Sequence, residues 1–221
     1  MTATEQREPL SRDRILQAAI ELADERGFAA LSMRKLGERL GVEAMSLYNH
    51  VANKDALLDG LVEAVLAEID VPTPDEDWKE GMRRRAASAR TVFLRHPWAM
   101  GILESRPQNS SPQRLGYYDA VLGALHNAGF DSRLAIRGFS ILDAYIYGFI
   151  LQELGLAFDD DASLQEVGED LMQQMADAYP HLTKATADTL SDGYDFAAEF
   201  RFGLDLIIEA LQSVRDASPD G

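Results

Sequence analysis

Leu31-Ser-Met-Arg-Lys-Leu-Gly-Glu-Arg-Leu-Gly-Val-Glu-Ala-Met-Ser-Leu-Tyr-Asn-His-Val-Ala-Asn-Lys54 decides how this chain folds. Ser32 is a helix-capping residue, and the helix it opens runs to Leu40, where Gly41 stops it. A second short helix is expected over about Ala44–His50. Asn53 then caps a longer one, in which Leu57, Leu58, Leu61, Val62, Val65 and Ile69 recur at helical spacing. Gly37 stands inside the first of these helices, where glycine costs about 0.5–1 kcal/mol relative to alanine. Its presence implies a close crossing with a neighbouring segment. Gly41 supplies the left-handed residue of the turn, and Val42 and Leu47 are expected to bury against Leu36 and Leu40. That packing leaves the second helix as a projecting ridge of a size that enters the major groove of DNA.

Upstream, Ser11 caps a helix over Arg12–Arg26 with Gly27 just past its end, and Ile15, Ala19, Leu22 and Ala23 form its buried stripe. Downstream, Val71-Pro-Thr-Pro-Asp-Glu-Asp77 is a turn-forming break. Helix resumes over about Asp77–Arg95 and ends at His96-Pro97. A second break follows Arg106-Pro107. Further helices are expected over Pro112–Ala128, Ser132–Leu154 and Asp188–Val214, with a weaker one over Leu164–Ala178 and a solvated loop at Asp159–Asp161. Strand-like alternation is missing, so the fold class is all-α.

The ridge exposes Ala44, Met45, Ser46, Tyr48, Asn49 and His50. Hydroxyl, amide and imidazole groups can meet phosphates or base edges, and Met45 can meet a thymine methyl. Arg34 suits a bidentate contact to guanine. Lys54 lies in the first turn of the next helix, where backbone N–H groups and the helix dipole already favour a phosphate. On spacing alone DNA binding is the better reading, and the alternative is three solvated short helices in a bundle, with Tyr48 and His50 filling surface.

Charge bears on the choice. The chain of 221 residues carries a formal −16, which is awkward for a nucleic-acid partner. The acidity is unevenly placed: residues 1–60 hold eight basic against ten acidic residues, and residues 61–221 thirteen against twenty-seven. Within Ser32–Lys54 the balance is four basic to two acidic, which leaves one basic edge on an acidic body. With no cysteine, neither a disulfide framework nor a thiolate metal site is available. The N-terminus lacks the apolar run of a signal peptide, and charge interrupts the apolar stretches. A cytoplasmic protein without a transmembrane helix is expected.

The segment from Leu31 to Leu58 resembles the DNA-binding part of the TetR family. It has Gly41-Val42, four variable residues, Tyr48-x-His50 and Lys54 four residues after the histidine. The likeness extends back through Ile15-Leu-Gln-Ala-Ala19 and Glu21-Leu22. The resemblance implies a helix-turn-helix domain over residues 11–57, with phosphate contacts at Ser32, Ser46, Tyr48, His50 and Lys54. Base contacts would fall on Arg34, Ala44 and Met45, with Asn49 beside them. Ala44 and Met45 depart from the polar residues that read bases in better-known members.

Residues 58–221 are then expected to form a helical bundle that binds a ligand and dimerises. Arg106-Pro107, Asn127-Ala-Gly-Phe130 and Phe202-Gly-Leu-Asp-Leu-Ile-Ile-Glu-Ala-Leu211 are similar to the tetracycline-repressor branch. The last of these carries a wide apolar stripe, Phe200, Leu204, Ile207, Ile208 and Leu211, suited to a dimer interface or to an ordinary core. By position, the branch's pocket falls on Arg85, Ile102, Ser105, Tyr118, Val121, Phe139, Asp143 and Tyr147. Such a lining suits a mid-sized organic molecule with a few polar groups. The histidine that holds drug-bound magnesium in tetracycline repressors is missing from Trp98–Ser105. Its later companion falls at Asp70, and the acidic residue behind the metal's ligands falls at Gln152, so tetracycline–magnesium recognition is not expected.

No phosphate-cradling glycine motif, nucleophile elbow or His-Glu-x-x-His occurs, and the four histidines are scattered. No catalytic residue, metal or cofactor is assigned, and an enzyme is not expected. The expected partners are double-stranded operator DNA, a small organic effector and a second copy of the chain, with no membrane. Ligand binding would move the helix from Asn53 to Asp70 and release a palindromic operator. The rival reading is a helical small-molecule-binding protein that acts through protein contacts without specific DNA binding.

Overall fold

The structure is a computed structural model that describes residues 9–106, 111–155 and 178–217. Among them there is helix and turn but no strand, as the missing alternation predicts. The chain divides into two compact units, residues 1–146 and residues 147–221.

The first unit opens with α1 (Arg12–Arg26), whose N-cap Ser11 accepts from the Arg14 N–H. A single 3-10 turn, Phe28–Ala30, follows. Next come α2 (Met33–Leu40), capped by Ser32, α3 (Ala44–Leu47) and α4 (Lys54–Ala67), capped by Asn53. These pack around Ile15, Ala19, Leu36, Leu47, Leu57 and Leu61, each essentially inaccessible. Gly60 lets α4 approach α1 closely, because a Cβ there would sit 2.7 Å from Leu16 Cδ2. Arg12 and Glu63 pair across the same crossing at 3.1 Å.

Asp77 caps α5 (Trp78–Arg95) by accepting from the Lys79 and Glu80 N–H groups. Pro97 then starts α6 (Pro97–Ser105) at the first helical position, where its missing N–H is harmless. His96-Pro97 is expected only to end α5, so α6 is an addition to the expected helices. A proline ends one helix and begins the next. Ser111 caps α7 (Pro112–Asn127), and α8 (Ser132–Gly155) follows, with Asp131 accepting from the Arg133 and Leu134 N–H groups. By length and composition alone α8 is apolar enough to cross a membrane, with a mean hydropathy of 1.5 over its most apolar window, although Arg133, Arg137, Asp143 and Glu153 interrupt the helix. Its charges are spaced widely enough to leave a long window, a third of which is buried: Leu134, Ala135, Leu142 and Ile146 face inward, whereas Ile136, Ile141 and Leu151 are exposed.

The second unit contains the end of α8, then α9 (Pro180–Asp192) and α10 (Phe196–Ala217). One continuous helix over Asp188–Val214 is therefore corrected. Gly193, at φ 76°, ends α9, and Asp195 starts α10 by accepting from the Ala197 N–H. Phe200, Leu204, Ile208 and Leu211 of the expected stripe are buried, and Ile207 is half-buried. The predicted Leu164–Ala178 helix and the Asp159–Asp161 loop fall almost wholly outside the described residues.

Candidate nucleic-acid interface and effector site

The turn between α2 and α3 is built as the two glycines require. Gly41 adopts φ 66°, ψ 37°, and its N–H bonds the Glu38 carbonyl. The Val42 N–H returns to the Gly37 carbonyl at 2.9 Å. A Cβ on Gly37 would stand 2.8 Å from the Val42 oxygen and 3.1 Å from the Ala44 nitrogen, so only glycine lets the chain pass here.

The regular part of α3 is shorter than the expected Ala44–His50. After Leu47 the backbone tightens into i−3 bonds, from Tyr48, Asn49 and His50 to the carbonyls of Met45, Ser46 and Leu47. Leu47 anchors this ridge at 0% exposure, whereas Met45 is 72% and Tyr48 41% exposed. Asn49, His50 and Lys54 are also exposed, and Ala44 and Ser46 are half-buried. Lys54 opens α4 beside the Asn53 cap, where the first-turn N–H groups point outward.

Arg34 extends from α2 with its side chain 80% exposed and Glu38 3.7 Å away. The Ser32 oxygen accepts from the Lys35 N–H at 3.3 Å, which leaves its own O–H proton available as a donor. The basic edge is smaller than its residue count suggests. Arg39 turns back to α1, donating to Glu25 at 2.7 Å and to Glu21 at 2.9 Å. Its hydrogen bonds hold the Glu25 carboxyl below the usual range.

A second cluster lies inside the same unit. Arg85 is 1% exposed on the core face of α5, where Trp78, Met82, Ala86 and Ala89 recur at helical spacing. Its Nε donates to the Tyr117 hydroxyl at 2.7 Å, and one Nη2 hydrogen is held by Asp143 of α8. The guanidinium carbon lies 5.1 Å from the Tyr117 ring centroid and 5.6 Å from that of Phe139. Tyr118 meets Phe139 edge-on at 5.4 Å, and its hydroxyl accepts from Arg114 Nε at 2.8 Å. Burial opposes the Arg85 charge, but the Tyr117 oxygen and the Asp143 carboxylate more than offset it and raise its pKa. Burial pushes the Tyr117 hydroxyl up to about 12. One donor of this cluster is unmatched: Arg85 Nη1 is buried without a hydrogen-bond partner among the described residues.

Of the expected pocket residues, Arg85, Tyr118, Phe139 and Asp143 come together here. Ile102 and Val121 are apolar core positions of α6 and α7. Ser105 is exposed and its hydroxyl bonds the Ile102 carbonyl of its own helix. Tyr147 belongs to the second unit, where it is half-buried. Tyr117 and Arg114 were missed. A periodicity signal for them exists, since Arg114, Tyr117, Val121, Ala124 and Leu125 form the buried stripe of α7. Asp70 lies 3.7 Å from Arg84 Nη1, and Gln152 is exposed.

Between the two clusters, α1, α4 and α6 are tied by polar contacts. Asp24 Oδ1 receives the Trp98 indole N–H at 2.6 Å and faces His96 Nδ1 at 2.8 Å. Arg106, which caps α6, donates from Nε to Asp59 at 2.5 Å and from Nη1 to Asp55 at 3.1 Å.

Residues 15–61 match the family described as bacterial regulatory proteins, tetR family. Residues 71–215 match the tetracyclin repressor-like C-terminal domain. A relative from Saccharopolyspora erythraea, described as an HTH-type transcriptional regulator, is 33% identical and covers 91% of this chain and 84% of its own. The tetracycline repressor protein class A from transposon 1721, in Escherichia coli, is 36% identical over 93% of this chain and 92% of its own. Among solved structures, the TetR family protein ActR of Streptomyces coelicolor in complex with actinorhodin superposes with a TM-score of 0.76. It is 28% identical, covering 94% of this chain and 99% of that one.

Proposed function

This chain belongs to the tetR family of bacterial regulatory proteins and is a ligand-responsive, DNA-binding repressor of transcription; from that premise we propose how it reads DNA and what releases it. Residues 11–57 form the reading head, and residues 58–221 bind the effector and pair with a second copy. The family matches support this regulator over a helical small-molecule binder that acts without DNA. Two copies present their ridges to successive half-sites of a palindrome, about 34–36 Å apart. The protein works in the cytoplasm, where that DNA is.

The glycine-closed turn carries this reading, because it seats Leu47 in the core and leaves Met45, Tyr48, Asn49 and His50 outward. Ser32, Ser46, Tyr48, His50 and Lys54 hold phosphates. Arg34, Ala44, Met45 and Asn49 face base edges. With two small or apolar residues among the base readers, thymine methyls and one Arg34–guanine contact supply the discrimination.

Arg85 defines the effector chemistry. A buried guanidinium donor without a partner is costly, and an incoming acceptor oxygen repays that cost. The flanking Tyr117, Tyr118 and Phe139 rings favour a planar aromatic body, and Asp143 already balances the charge. The effector is a planar aromatic molecule bearing a carbonyl, phenolate or carboxylate oxygen. The likeness to ActR, solved with actinorhodin, supports the same class.

Fluorescence anisotropy with duplexes tiling the DNA upstream of the protein's own coding sequence tests the reading head. A salt-sensitive, saturable complex on one palindromic segment is expected. Folded protein that binds every segment equally or none overturns the reading.

A further inference from the structure

We propose that Arg114 is the anion anchor of the effector site, so that the effector is an acid whose carboxylate or phenolate sits on Arg114 while a neutral carbonyl meets Arg85. This inference rests on the effector class above and narrows it to a molecule with two oxygens of different charge.

The observation is a buried cation without a counter-charge. Arg114 is only 7% exposed. Its Nε donates to the Tyr118 hydroxyl at 2.8 Å and its Nη1 to the Arg106 backbone carbonyl at 2.7 Å. Both acceptors are neutral, and no carboxylate pairs with this guanidinium among the described residues. Acids are not scarce, since residues 61–221 carry twenty-seven of them. The position adds to the imbalance. Arg114 is the third residue of α7, whose first turn holds no acidic side chain. The helix dipole is positive at that end, which disfavours a cation and favours an anion. Buried charges in folded proteins are normally paired, because an unpaired one is costly. The Tyr118 ring, 5.6 Å from the guanidinium carbon, offsets only part of that cost.

The two buried arginines of this unit therefore ask for different groups. Arg85 has its counter-charge in Asp143 and lacks an acceptor for one nitrogen, so a neutral carbonyl suffices there. Arg114 has acceptors and lacks a counter-charge, so it selects an anion. One aromatic wall joins them. Phe139 lies 5.6 Å from the Arg85 guanidinium carbon, Tyr118 meets Phe139 at 5.4 Å, and Arg114 lies over Tyr118. A planar body resting on that wall presents one edge to each guanidinium. If Arg114 were only a strut between Tyr118 and the end of α6, the site would not distinguish a charged molecule from a neutral one of the same shape. That difference is measurable.

The test uses the full chain and two probes. One is rhein, a planar anthraquinone that carries a carboxylate, and the other is its primary amide, which keeps the shape without the charge. The Kd of each is read by isothermal titration calorimetry at pH 7. Rhein is expected to bind about 10- to 100-fold tighter than the amide, the usual worth of a hydrogen bond to a charged group. In Arg114→Gln that ratio is expected to fall to about twofold or less, whereas Arg114→Lys, which keeps the charge, retains a preference for rhein. Arg85→Gln is expected to weaken both probes alike. Equal binding of the two probes to the unaltered chain, or a ratio that survives Arg114→Gln, overturns the proposal. Should Arg114→Gln fail to fold by circular dichroism, Arg114→Met removes the same charge and takes its place. Should neither probe bind, the planar aromatic class fails, and benzoate against benzamide decides the anchor by thermal unfolding. Saturable stabilisation by benzoate alone, lost in Arg114→Gln, supports it, and no difference between the two overturns it.

Discussion

His96 Nδ1 lies 2.8 Å from Asp24 Oδ1, and the same oxygen receives the Trp98 indole N–H, so one carboxylate of α1 holds the junction of α5 and α6. His96 is 4% exposed, and Trp98 also lies against Phe28 with ring centroids 6.4 Å apart. Asp24→Ala removes the acceptor from two side chains at once, one of them buried. A loss of about 1–3 kcal/mol in unfolding free energy is expected, the cost of stranded buried donors, read by urea titration of the full chain. A change below about 0.5 kcal/mol, the usual range for surface substitutions, would show that the Asp24 contacts contribute little to this junction.

Gly37→Ala tests the close crossing of α2 and α3. The added methyl would meet backbone, the Val42 oxygen at 2.8 Å, which cannot rotate away as a side chain could. Destabilisation of about 1–3 kcal/mol is expected from this overpacking, together with loss of operator binding, because the ridge must shift to relieve the clash. Gly101→Ala is the control, since nothing lies within 4 Å of a Cβ there.

The contrast between these glycines explains what was legible in sequence. Gly37 and Gly41 stand out because each contradicts its local context, one inside a helix and one ending it. Gly60 makes an equally tight crossing with Leu16 but sits in an ordinary apolar helix, so nothing local marks it. Ser11, Ser32 and Asn53 cap as their chemistry predicts, because a cap is satisfied within three residues. The effector cluster is legible only in part. Its members come from α5, α7 and α8, and which tyrosine reaches Arg85 depends on how those helices are rotated. Tyr117 rather than Tyr118 follows from the stripe through Arg114 and Val121, a pattern that aligned positions alone obscure. The count of basic residues misleads for a similar reason, since Arg39 meets its carboxylates on another helix.

Tyr117 gives the protein a limit on the alkaline side. Its hydroxyl titrates near 12 in the folded chain, pushed up mainly by burial, against an ordinary value of 10.0. Because the folded-state value is the higher one, the unfolded chain gives up this proton first. Stability from this group is complete below pH 10 and is lost as pH rises from about 10 through 12. Urea midpoints measured between pH 9 and 12 should fall across that window. Tyr117→Phe should lower stability at neutral pH, by about 1–3 kcal/mol for the donor left on Arg85, while flattening the alkaline decline. An unchanged alkaline slope in Tyr117→Phe would assign the decline to other groups.

Arg34 and Arg39 lie five residues apart on one short helix, and opposite outcomes are expected for them. Arg34 is 80% exposed at its side chain and can turn from Glu38 to DNA without disturbing the fold. Arg34→Ala should therefore leave the urea midpoint unchanged and weaken operator binding by about 1–3 kcal/mol, relaxing preference at one base pair. Arg39 instead clamps Glu21 and Glu25, so Arg39→Ala should lower stability and affect DNA binding only through the folded fraction. Acid titration separates the two further. The hydrogen bonds from Arg39 depress the Glu25 pKa, so stability from that pair is present above the unfolded carboxylate value and is lost as pH falls through the folded one. Arg39→Ala should remove that part of the acid slope, and Arg34→Ala should leave it in place. If Arg39→Ala instead weakened operator binding as much as Arg34→Ala at equal folded fraction, Arg39 would have to leave α1 to reach the DNA, and the basic edge would be as wide as its charge count suggests.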